Sequence, residues 1–387
     1  MVLKIETNGA LKSFCAELKK QPFIAVDTEF IRQKTYHAIL CLVQIATPDG
    51  TAACIDPLAP DLDLKPLLSI MKDKKVLKVF HSARQDLEIF YDLMGNLPNP
   101  VFDTQIGAMV CGLGESISYH NIVHHYLGLD LDKSFRETDW SARPLAEKQL
   151  SYALADVTHL VKVYEKMMVE IKEKKRESWI EEETNTLLCP DLYKPQPMEM
   201  WKRLKPTSSK PEYLAVLRAL CAWREEMALK KNRPRRHILR DEIILDLAAL
   251  SPTKESDFEH FKSKKEFSAQ HEYAQQIMEL IQKALSLPKD QMPELEKEKP
   301  LTSSQHAVKE MLRLLLTIVS DQYGVAPKII ASSEDLDELA RSNKNSRIMS
   351  GWRYEIFGKK AEAFKKGLLA LTFDPATKQM VFIENSN

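Results

Sequence analysis

Two carboxylates separated by one residue stand where an apolar run of the sequence ends. The stretch from Phe23 to Phe30 reads Phe-Ile-Ala-Val-Asp-Thr-Glu-Phe, which places Asp27 and Glu29 directly after the apolar residues. Because successive side chains of a strand point to opposite faces, residues two apart share a face. The sequence therefore predicts two neighbouring carboxylates where a buried strand emerges. By itself, such a pair suits either a metal site or a solvated strand end.

Two further carboxylates stand in helical patterns of the same part of the chain. Asp86 lies in the early turns of a helix predicted over 82–94, beside its apolar stripe, where it suits either a metal or the helix dipole. Asp156 follows Tyr152 by four residues on a later predicted helix, so these side chains lie over one another on one face. A Tyr and an Asp so placed form either a structural pair or part of a site with the earlier acids.

The four acids together predict a metal centre. Carboxylates can share a buried pocket only if cations offset their repulsion. Hard oxygen ligands favour Mg²⁺ or Mn²⁺ over zinc. Two such ions about 3.5–4 Å apart form the usual clamp for phosphodiester hydrolysis.

A set of strands and helices is needed to position these acids. The turn sequence Thr47-Pro48-Asp49-Gly50 separates two apolar runs, 38–46 and 51–55, which we expect to form a hairpin. With Phe23–Val26 they make an antiparallel meander. Further strands are predicted at 76–80 and 101–103, and helices at 61–71 and 144–168. The pattern indicates an α/β domain.

The composition is that of an ordinary globular protein. The chain has 387 residues, with 55 Lys and Arg balanced by 55 Asp and Glu, so any basic surface is local. Its six cysteines are scattered without a Cys-x-x-Cys pair, which argues against a zinc cage and a disulfide framework. The N-terminus resembles neither a signal nor a transit peptide, and no apolar run approaches the roughly 18 residues of a membrane span. We expect a cytoplasmic protein.

Proline-rich passages predict the domain boundaries. We expect a first domain over 1–190, a linker over 191–210, a helical domain over 211–287, a linker over 288–300 and a second helical domain over 301–387. The first helical domain carries the basic run Lys230–His237, which suits either a solvated face or phosphate contact. Truncation near Pro206 is expected to leave a folded first domain.

Several motifs resemble those of the DEDD superfamily of 3′–5′ exonucleases, Tyr subtype. The three superfamily motifs correspond to Val26–Phe30, His81–Leu87 and Tyr152–Val157. The stretches Phe102–Gln105 and Asp132–Leu145 are similar to the ribonuclease D family in particular. The segment 217–250 resembles a first HRDC domain, a nucleic-acid-binding helical module, and Met349–Gly358 resembles a second, more divergent one.

The resemblance implies a fold, a reaction and roles for individual residues. The expected fold is a ribonuclease H-like α/β exonuclease domain with a mixed sheet, followed by two small all-α HRDC-type domains. The expected reaction removes 3′ nucleotides as 5′-phosphates from tRNA precursors and other RNAs with a free 3′ end. The four acids would hold two divalent cations, Mg²⁺ or Mn²⁺, Tyr152 would orient the attacking water, and Glu29 is also a candidate contact to the terminal ribose. The basic run would contact RNA through Lys230, Lys231, Arg233, Arg235 and Arg236.

Two other functions fit the same residues. A DNA-directed exonuclease of the superfamily would use the same acids, because they act on phosphate and metal, whereas recognition of the 2′-hydroxyl separates RNA from DNA. A non-catalytic nucleic-acid-binding protein would rely on the HRDC-type domains, although such a protein would be expected to have lost an acid. The resemblance implies neither a membrane nor a protein partner.

Overall fold

A computed structural model describes residues 3–132, 135, 138–263, 265–295, 300–341 and 346–384 of the chain. The described chain forms two compact units. The first combines Met1–Glu29, Leu40–Cys189 and Lys299–Asn387, and the second combines Phe30–Ile39 with Pro190–Glu298. The C-terminal residues, which the sequence predicts as a separate domain over 301–387, therefore belong to the same unit as the four acids.

Among the described residues of the N-terminal part, six strands form one mixed sheet. They are β1 (Leu3–Ile5), β2 (Phe23–Ile31), β3 (Ile39–Ala46), β4 (Ala52–Ile55), β5 (Leu77–Phe80) and β6 (Val101–Asp103), in the spatial order β1-β4-β3-β2-β5-β6. β3 and β4 pair antiparallel. β1 runs parallel to β4, and β2 and β6 both run parallel to β5. The mixed sheet predicted from the sequence is confirmed.

The position of β2 inside the sheet accounts for its sequence. β2 lies between β3 and β5 in the sheet. Its residues Phe23–Val26 are buried, and the strand becomes half-buried at Asp27 and Glu29. A strand covered on both faces reads as a continuous apolar run, and the carboxylates mark where that cover ends.

Seven helices are described in this part of the chain. They are α1 (Asn8–Leu18), α2 (Lys65–Lys72), α3 (Arg84–Met94), α4 (Thr104–Cys111), α5 (Tyr119–Leu127), α6 (Glu147–Glu173) and α7 (Glu177–Leu187). α6 runs for 27 residues, packs on β4 and β5, and buries an apolar stripe that includes Ala153, Val157 and Leu160. α2 begins at Lys65 rather than at the predicted Asp61. Asp61 has a φ of 58°, in the left-handed region that a right-handed helix cannot contain.

Helices also form the second unit. Those described are α8 (Pro211–Lys231), α9 (Arg235–Ile238), α10 (Asp241–Leu250) and α11 (Ala274–Leu285). A short 3₁₀ turn, Pro197–Arg203, packs on α8 through buried Met200 and Trp201, so part of the predicted linker 191–210 is folded. The segment Phe30–Ile39 joins this unit because Asn232, at the end of α8, accepts hydrogen bonds from the backbone N–H of Tyr36 and His37 at 3.0 and 3.1 Å.

The C-terminal residues add helices and a hairpin to the first unit. These elements are α12 (Ser303–Tyr323), α13 (Pro327–Ile330), α14 (Ser333–Ala340), α15 (Gly351–Arg353), a π-helical turn (Tyr354–Gly358), α16 (Lys359–Lys365), β7 (Leu369–Asp374) and β8 (Gln379–Glu384). The antiparallel hairpin β7–β8 departs from the all-helical prediction. The carboxylate of Asp374 accepts hydrogen bonds from Ala376 N and Thr377 Oγ1 at 2.9 and 2.8 Å, which closes a turn between two strand-forming runs.

Polar and aromatic contacts hold the C-terminal helices against α4 and α7. Trp352 stacks on Trp179 with ring centroids 4.4 Å apart, and Arg353 forms a two-pronged ion pair with Glu183 at 2.6 and 2.7 Å. The buried Arg176 donates hydrogen bonds to carbonyl oxygens of both regions, at Val110 and Tyr323. Beside these contacts, apolar residues of both regions form one continuous core, so a truncation near Pro206 would uncover it, contrary to the expectation from the sequence. No helix in the described ranges has both the length and the apolar character to cross a membrane.

Candidate active site

The five residues predicted to form the site all lie in the first unit. Asp27 and Glu29 stand on β2, Asp86 in the first turn of α3, and Tyr152 and Asp156 on α6. One carboxylate oxygen each from Asp27, Glu29 and Asp156 lies within 4.8 Å of the other two. A strand and a distant helix thus bring three acids to a distance at which they can share a metal ion.

The fourth acid is attached to the same strand from α3. Asp86 is buried, and its Oδ1 accepts a hydrogen bond of 2.5 Å from the hydroxyl of Thr28. Asp86 lies outside the group of three mutually close acids. Its charge nevertheless raises the pKa of Glu29, and the charge of Asp27 raises the pKa of Asp86. The structure therefore places all four acids in one electrostatic cluster, with three of them closest together.

Burial and mutual repulsion raise the pKa of every acid in this cluster. Burial, followed by the charges of the other three acids, raises the pKa of Glu29 to about 9. Burial and the charge of Asp27 raise the pKa of Asp156 to about 8. Burial raises the pKa of Asp27 to about 6 although the N–H of Thr28 opposes this, and burial with the charge of Asp27 raises the pKa of Asp86 well above its usual range. A group of buried oxygens that repel each other's charge is the donor set that hard divalent cations fit.

The buried side chain of Asp103 sets the start of α3 and therefore the position of Asp86. Its two oxygens accept hydrogen bonds of 2.9 Å from the backbone N–H of Ser82 and Ala83, and Oδ1 also accepts one of 2.8 Å from Gln105. Ser82 has a φ of 59°, a left-handed conformation that turns the chain from β5 into α3. Asp103 thus links the ends of β5 and β6 to the helix that carries the fourth acid.

A cavity of about 350 Å³ opens beside the acids. It is lined by Asp27, His81, Ser82, Ser118, Tyr119, His120, Leu131, Asp132, Tyr152, Asp156 and Leu160. A second cavity of about 650 Å³ shares Tyr152 and Asp156 with the first and continues past Phe135, Lys148 and Ser151. An extended ligand that occupied both cavities would therefore contact Tyr152 and Asp156 and reach the acids there.

Tyr119 and His81 are among the cavity-wall residues that were not predicted as site residues. The hydroxyl of Tyr119 donates a hydrogen bond to the backbone carbonyl of Asp156, and burial together with nearby carboxylates raises its pKa well above the usual range. His81 packs edge-on against Tyr119 at 5.4 Å, and its Nδ1 lies 2.9 Å from Thr104 Oγ1. Burial lowers the pKa of His81, although the charge of Asp103 opposes this. His81 opens the motif His81–Leu87 and could have been found there, whereas Tyr119 carries no distinguishing sequence signal.

The basic residues predicted to contact RNA lie in the second unit and have different environments. Arg235 donates two hydrogen bonds to the buried carboxylate of Glu225, and Lys231 donates to the hydroxyl of Tyr273. By contrast, Lys230, Arg233 and Arg236 are exposed, and the described residues contain no ion pair for any of them. Two of the five cations therefore stabilise their own unit.

Comparison with known proteins places the chain in a family. A family model for 3′-5′ exonucleases matches residues 2–172, and a model for the HRDC domain matches residues 213–281. The chain is 45% identical to a ribonuclease D of Bartonella henselae over 95% of this chain and 91% of that protein. It is 42% identical to a ribonuclease D of Sphingobium indicum over 95% of each chain. The chain belongs to the ribonuclease D family.

A solved structure of the ribonuclease D family supports this assignment. The crystal structure of Escherichia coli RNase D, which is described as an exoribonuclease involved in structured RNA processing, matches with a TM-score of 0.81 at 28% identity. The match covers 95% of this chain and 99% of that one. Like other members of the ribonuclease D family, this protein is a hydrolase of the 3′–5′ exoribonuclease class. The fold and the acidic cluster imply that divalent metal is used.

Proposed function

We propose that the cluster of Asp27, Glu29, Asp86 and Asp156 binds two Mg²⁺ or Mn²⁺ ions and hydrolyses the last phosphodiester bond at the 3′ end of RNA. The observation that carries this proposal is that carboxylate oxygens of Asp27, Glu29 and Asp156 lie within 4.8 Å of one another, with Asp27 and Asp156 at the wall of a cavity. Acids with this degree of burial are expected to be held apart unless their charge is offset.

The acids of the cluster would bind the metal ions, and Thr28 would orient one of these acids. Divalent cations, when bound, supply the positive charge that lowers the pKa of the attacking water and offsets the charge on the leaving 3′ oxygen. Asp27 and Asp156 line the cavity and present oxygen ligands from β2 and α6. Asp86 is held in place by Thr28 and contributes a ligand from α3.

Tyr152 has the separate task of positioning the attacking water. Its side chain lines both cavities one helical turn before Asp156. From there its hydroxyl holds the water and orients a lone pair toward the phosphorus atom. Positioned groups of this kind contribute on the order of 10²–10⁴-fold to the rate.

We further propose tRNA precursors and other structured RNAs with free 3′ ends as substrates, in the cytoplasm. The second unit supplies the additional RNA contacts through the exposed Lys230, Arg233 and Arg236, together with Lys231 and Arg235. A pocket of about 440 Å³ in this unit is lined by residues that include Arg203, Arg235, Arg236 and Arg240, with Asp241 and Glu242. Clustered guanidinium groups suit phosphate, because each can donate two parallel hydrogen bonds to it.

The deciding experiment compares RNA and DNA of equal sequence, labelled at the 5′ or the 3′ end, with Mg²⁺, with Mn²⁺ and with a chelator. We expect metal-dependent release of mononucleotides from the 3′ end of RNA. Equal turnover of DNA would favour a DNA-directed exonuclease, and binding without cleavage would favour a non-catalytic function.

Two variants test the acids directly. D27N and D156N each remove one charged ligand at nearly constant shape, so we expect both to abolish hydrolysis and to weaken Mn²⁺ binding measured by calorimetry. Wild-type turnover and Mn²⁺ affinity in either variant would contradict the assignment.

A further inference from the structure

The stretch Asp132–Leu145 contains an arginine whose hydrogen-bonding capacity is completely used. Arg143 donates from Nε and Nη2 to the two carboxylate oxygens of Asp56 at 2.8 and 2.6 Å. Its remaining N–H groups donate to the carbonyl oxygens of Cys41, Trp140 and Ala142 at 2.7, 2.7 and 2.9 Å. Since a guanidinium has five N–H groups, every donor of Arg143 has an acceptor. These hydrogen bonds fix the guanidinium relative to three segments, namely Asp56 after β4, Cys41 on β3 and the loop that contains Trp140 and Ala142.

The carboxylate that anchors Arg143 is itself buried and held by hydrogen bonds. Asp56 follows β4 directly, is 1% exposed, and its backbone N–H donates to the carbonyl of Ile5 on β1 at 3.0 Å. Its Oδ1 also accepts a hydrogen bond of 3.0 Å from Leu58 N. Burial acts to raise the pKa of Asp56, but the hydrogen bonds and charge of Arg143 outweigh this and hold the pKa below its usual range. The anchor is therefore an ionised group built into the edge of the sheet.

The contact from Arg143 to Trp140 leads to the proposed catalytic tyrosine. Trp140 is 3% exposed, and its indole stacks on the ring of Tyr152 at a centroid distance of 6.5 Å and an angle of 30°. Arg143 holds the backbone of Trp140 by donating a hydrogen bond to its carbonyl oxygen. Neither Arg143 nor Asp56 is among the described residues that line the two cavities.

A second connection fixes this loop to α6 but not to the sheet. Gln149, in the first turn of α6, accepts a hydrogen bond of 2.8 Å from Ala146 N and donates one of 2.8 Å to Thr138 Oγ1. Since Gln149 and Tyr152 stand on the same helix, this contact moves with the helix. Arg143 ties the loop to Asp56, at the end of β4, and to Cys41 on β3, the strand next to the acid-bearing β2. This connection adds to the direct packing of α6 on β4 and β5.

We propose that Arg143, anchored by Asp56, is a positioning residue for the Tyr152 hydroxyl and acts through the indole of Trp140. This inference rests on the proposed role of Tyr152 in orienting the attacking water. If the hydrogen bonds of Arg143 are broken, the indole shifts and the Tyr152 ring loses one of its aromatic neighbours. The other, Phe135, has its ring centroid 6.2 Å from that of Tyr152 and cannot replace the stacked indole, so the hydroxyl moves relative to the acids. A misplacement of about 1 Å in a reacting geometry costs on the order of 100-fold in rate.

The test uses R143K in the full-length chain. Lysine retains the charge, but it cannot donate to both oxygens of Asp56 and to three carbonyl groups at once. We expect kcat on a short single-stranded RNA to fall by about 10- to 100-fold while KM changes by less than about twofold. Mn²⁺ binding by calorimetry is expected to stay at the wild-type value, because no acid is altered.

A matched control separates positioning from general loss of stability. Arg176 is also buried in the first unit and also donates to backbone carbonyls, at Val110 and Tyr323, but it has no described contact with Trp140 or Tyr152. We expect R176K to lower the thermal midpoint without a comparable fall in kcat, measured well below the midpoints of both variants.

A double-mutant cycle with Y152F decides between the possible outcomes. If Arg143 acts through the Tyr152 hydroxyl, R143K lowers kcat by less than about threefold in the Y152F background, since that hydroxyl is already absent. Equal losses in both backgrounds, or no loss in wild type, would overturn the inference. Normal turnover of Y152F would instead remove the proposed role of Tyr152 and this inference with it. If R143K fails to fold, W140F takes its place in the cycle, because it alters the stacking surface and leaves Arg143 in place. A small loss of kcat in the Y152F background would again support the inference, and equal losses in both backgrounds would again overturn it.

Discussion

The hydroxyl of Thr28 donates a hydrogen bond of 2.5 Å to Oδ1 of Asp86, so β2 holds an acid that belongs to α3. Thr28 stands between Asp27 and Glu29, and it is buried. One strand therefore supplies two acids of the cluster directly and orients a third through a side-chain hydroxyl.

Removal of that hydroxyl is predicted to weaken metal binding without changing any ligand. Valine has nearly the same shape as threonine, but T28V removes the hydroxyl that donates a hydrogen bond to Asp86. Loss of such a supporting partner typically costs about 10- to 100-fold in metal affinity or activity, and we expect a loss in this range. Calorimetric titration with Mn²⁺ measures it, with T28S as the control that retains the hydroxyl. Unchanged affinity in T28V would show that the position of Asp86 does not depend on Thr28.

The stability of the metal-free protein is predicted to fall as the pH rises. The pKa is raised from 4.5 to about 9 for Glu29 and from 3.8 to about 8 for Asp156. The folded state therefore binds protons that the unfolded chain releases near pH 4, so their stabilising effect is complete at low pH and is lost as the pH rises through 8 and 9. Thermal midpoints of the metal-free protein, measured between about pH 5 and about pH 9, give the slope of stability against pH.

Divalent cations and one variant provide the controls for this pH dependence. Mn²⁺ replaces the protons as the source of positive charge, so it should raise the midpoint more at the alkaline end of the range than at the acidic end. E29Q has no carboxyl group to titrate at this position and should flatten the slope. A midpoint of the metal-free wild type that rises with pH would contradict the assignment of these pKa shifts.

The basic surface of the second unit is predicted to govern salt dependence. Replacing the exposed Lys230, Arg233 and Arg236 by alanine should reduce the slope of log K against log salt for a structured RNA by at most about 2 to 3, since each lost phosphate contact removes about 0.7 to 0.9. Cleavage of a short single-stranded RNA should remain normal. Identical slopes for the variant and wild type would mean that this face is solvated and does not contact RNA.

Arg235 is predicted to behave differently from its neighbour Arg236. Its partner Glu225 is 1% exposed and also accepts a hydrogen bond from Tyr36. R235A leaves that buried carboxylate without its cation, and we expect the free energy of unfolding of the second unit to fall by about 1–3 kcal/mol. R236A, on the same short helix, serves as the control and should change it by less than about 0.5 kcal/mol. Denaturant titration distinguishes the two.

The C-terminal helices are predicted to be part of the stability of the nuclease. Trp352 is 4% exposed and stacks on Trp179 of α7, so W352A should lower the free energy of unfolding by about 3–5 kcal/mol. Phe373 on β7 is 56% exposed, and F373A should change it by less than about 0.5 kcal/mol. Equal stability of W352A and F373A would mean that the C-terminal region is dispensable for the fold of the first unit.

The sequence predicted the local elements better than the contacts between distant segments. Asp27, Glu29 and Asp86 could be placed because an apolar strand and an amphipathic helix have regular periods, which a single sequence displays. The hairpin β7–β8 was missed because β7 is mostly half-buried and shows little alternation between buried and exposed residues. Tyr119 and Arg235 have partners far along the chain, at Asp156 and Tyr36, and no local pattern reports such pairings.

The first unit takes its residues from both ends of the chain, and this sets the order in which it can be completed. During synthesis at roughly 5–20 residues per second, α12 follows α6 by on the order of ten seconds. For that interval the four acids exist on a chain whose α4 and α7 still expose the surface that Trp352 and its neighbours later cover. We expect the ribosome-bound chain to be an unfinished nuclease, which would spare the tRNA and ribosomal RNA that surround it. Stalled chains ending near residue 300, assayed for RNA cleavage before and after completion, would show when activity appears.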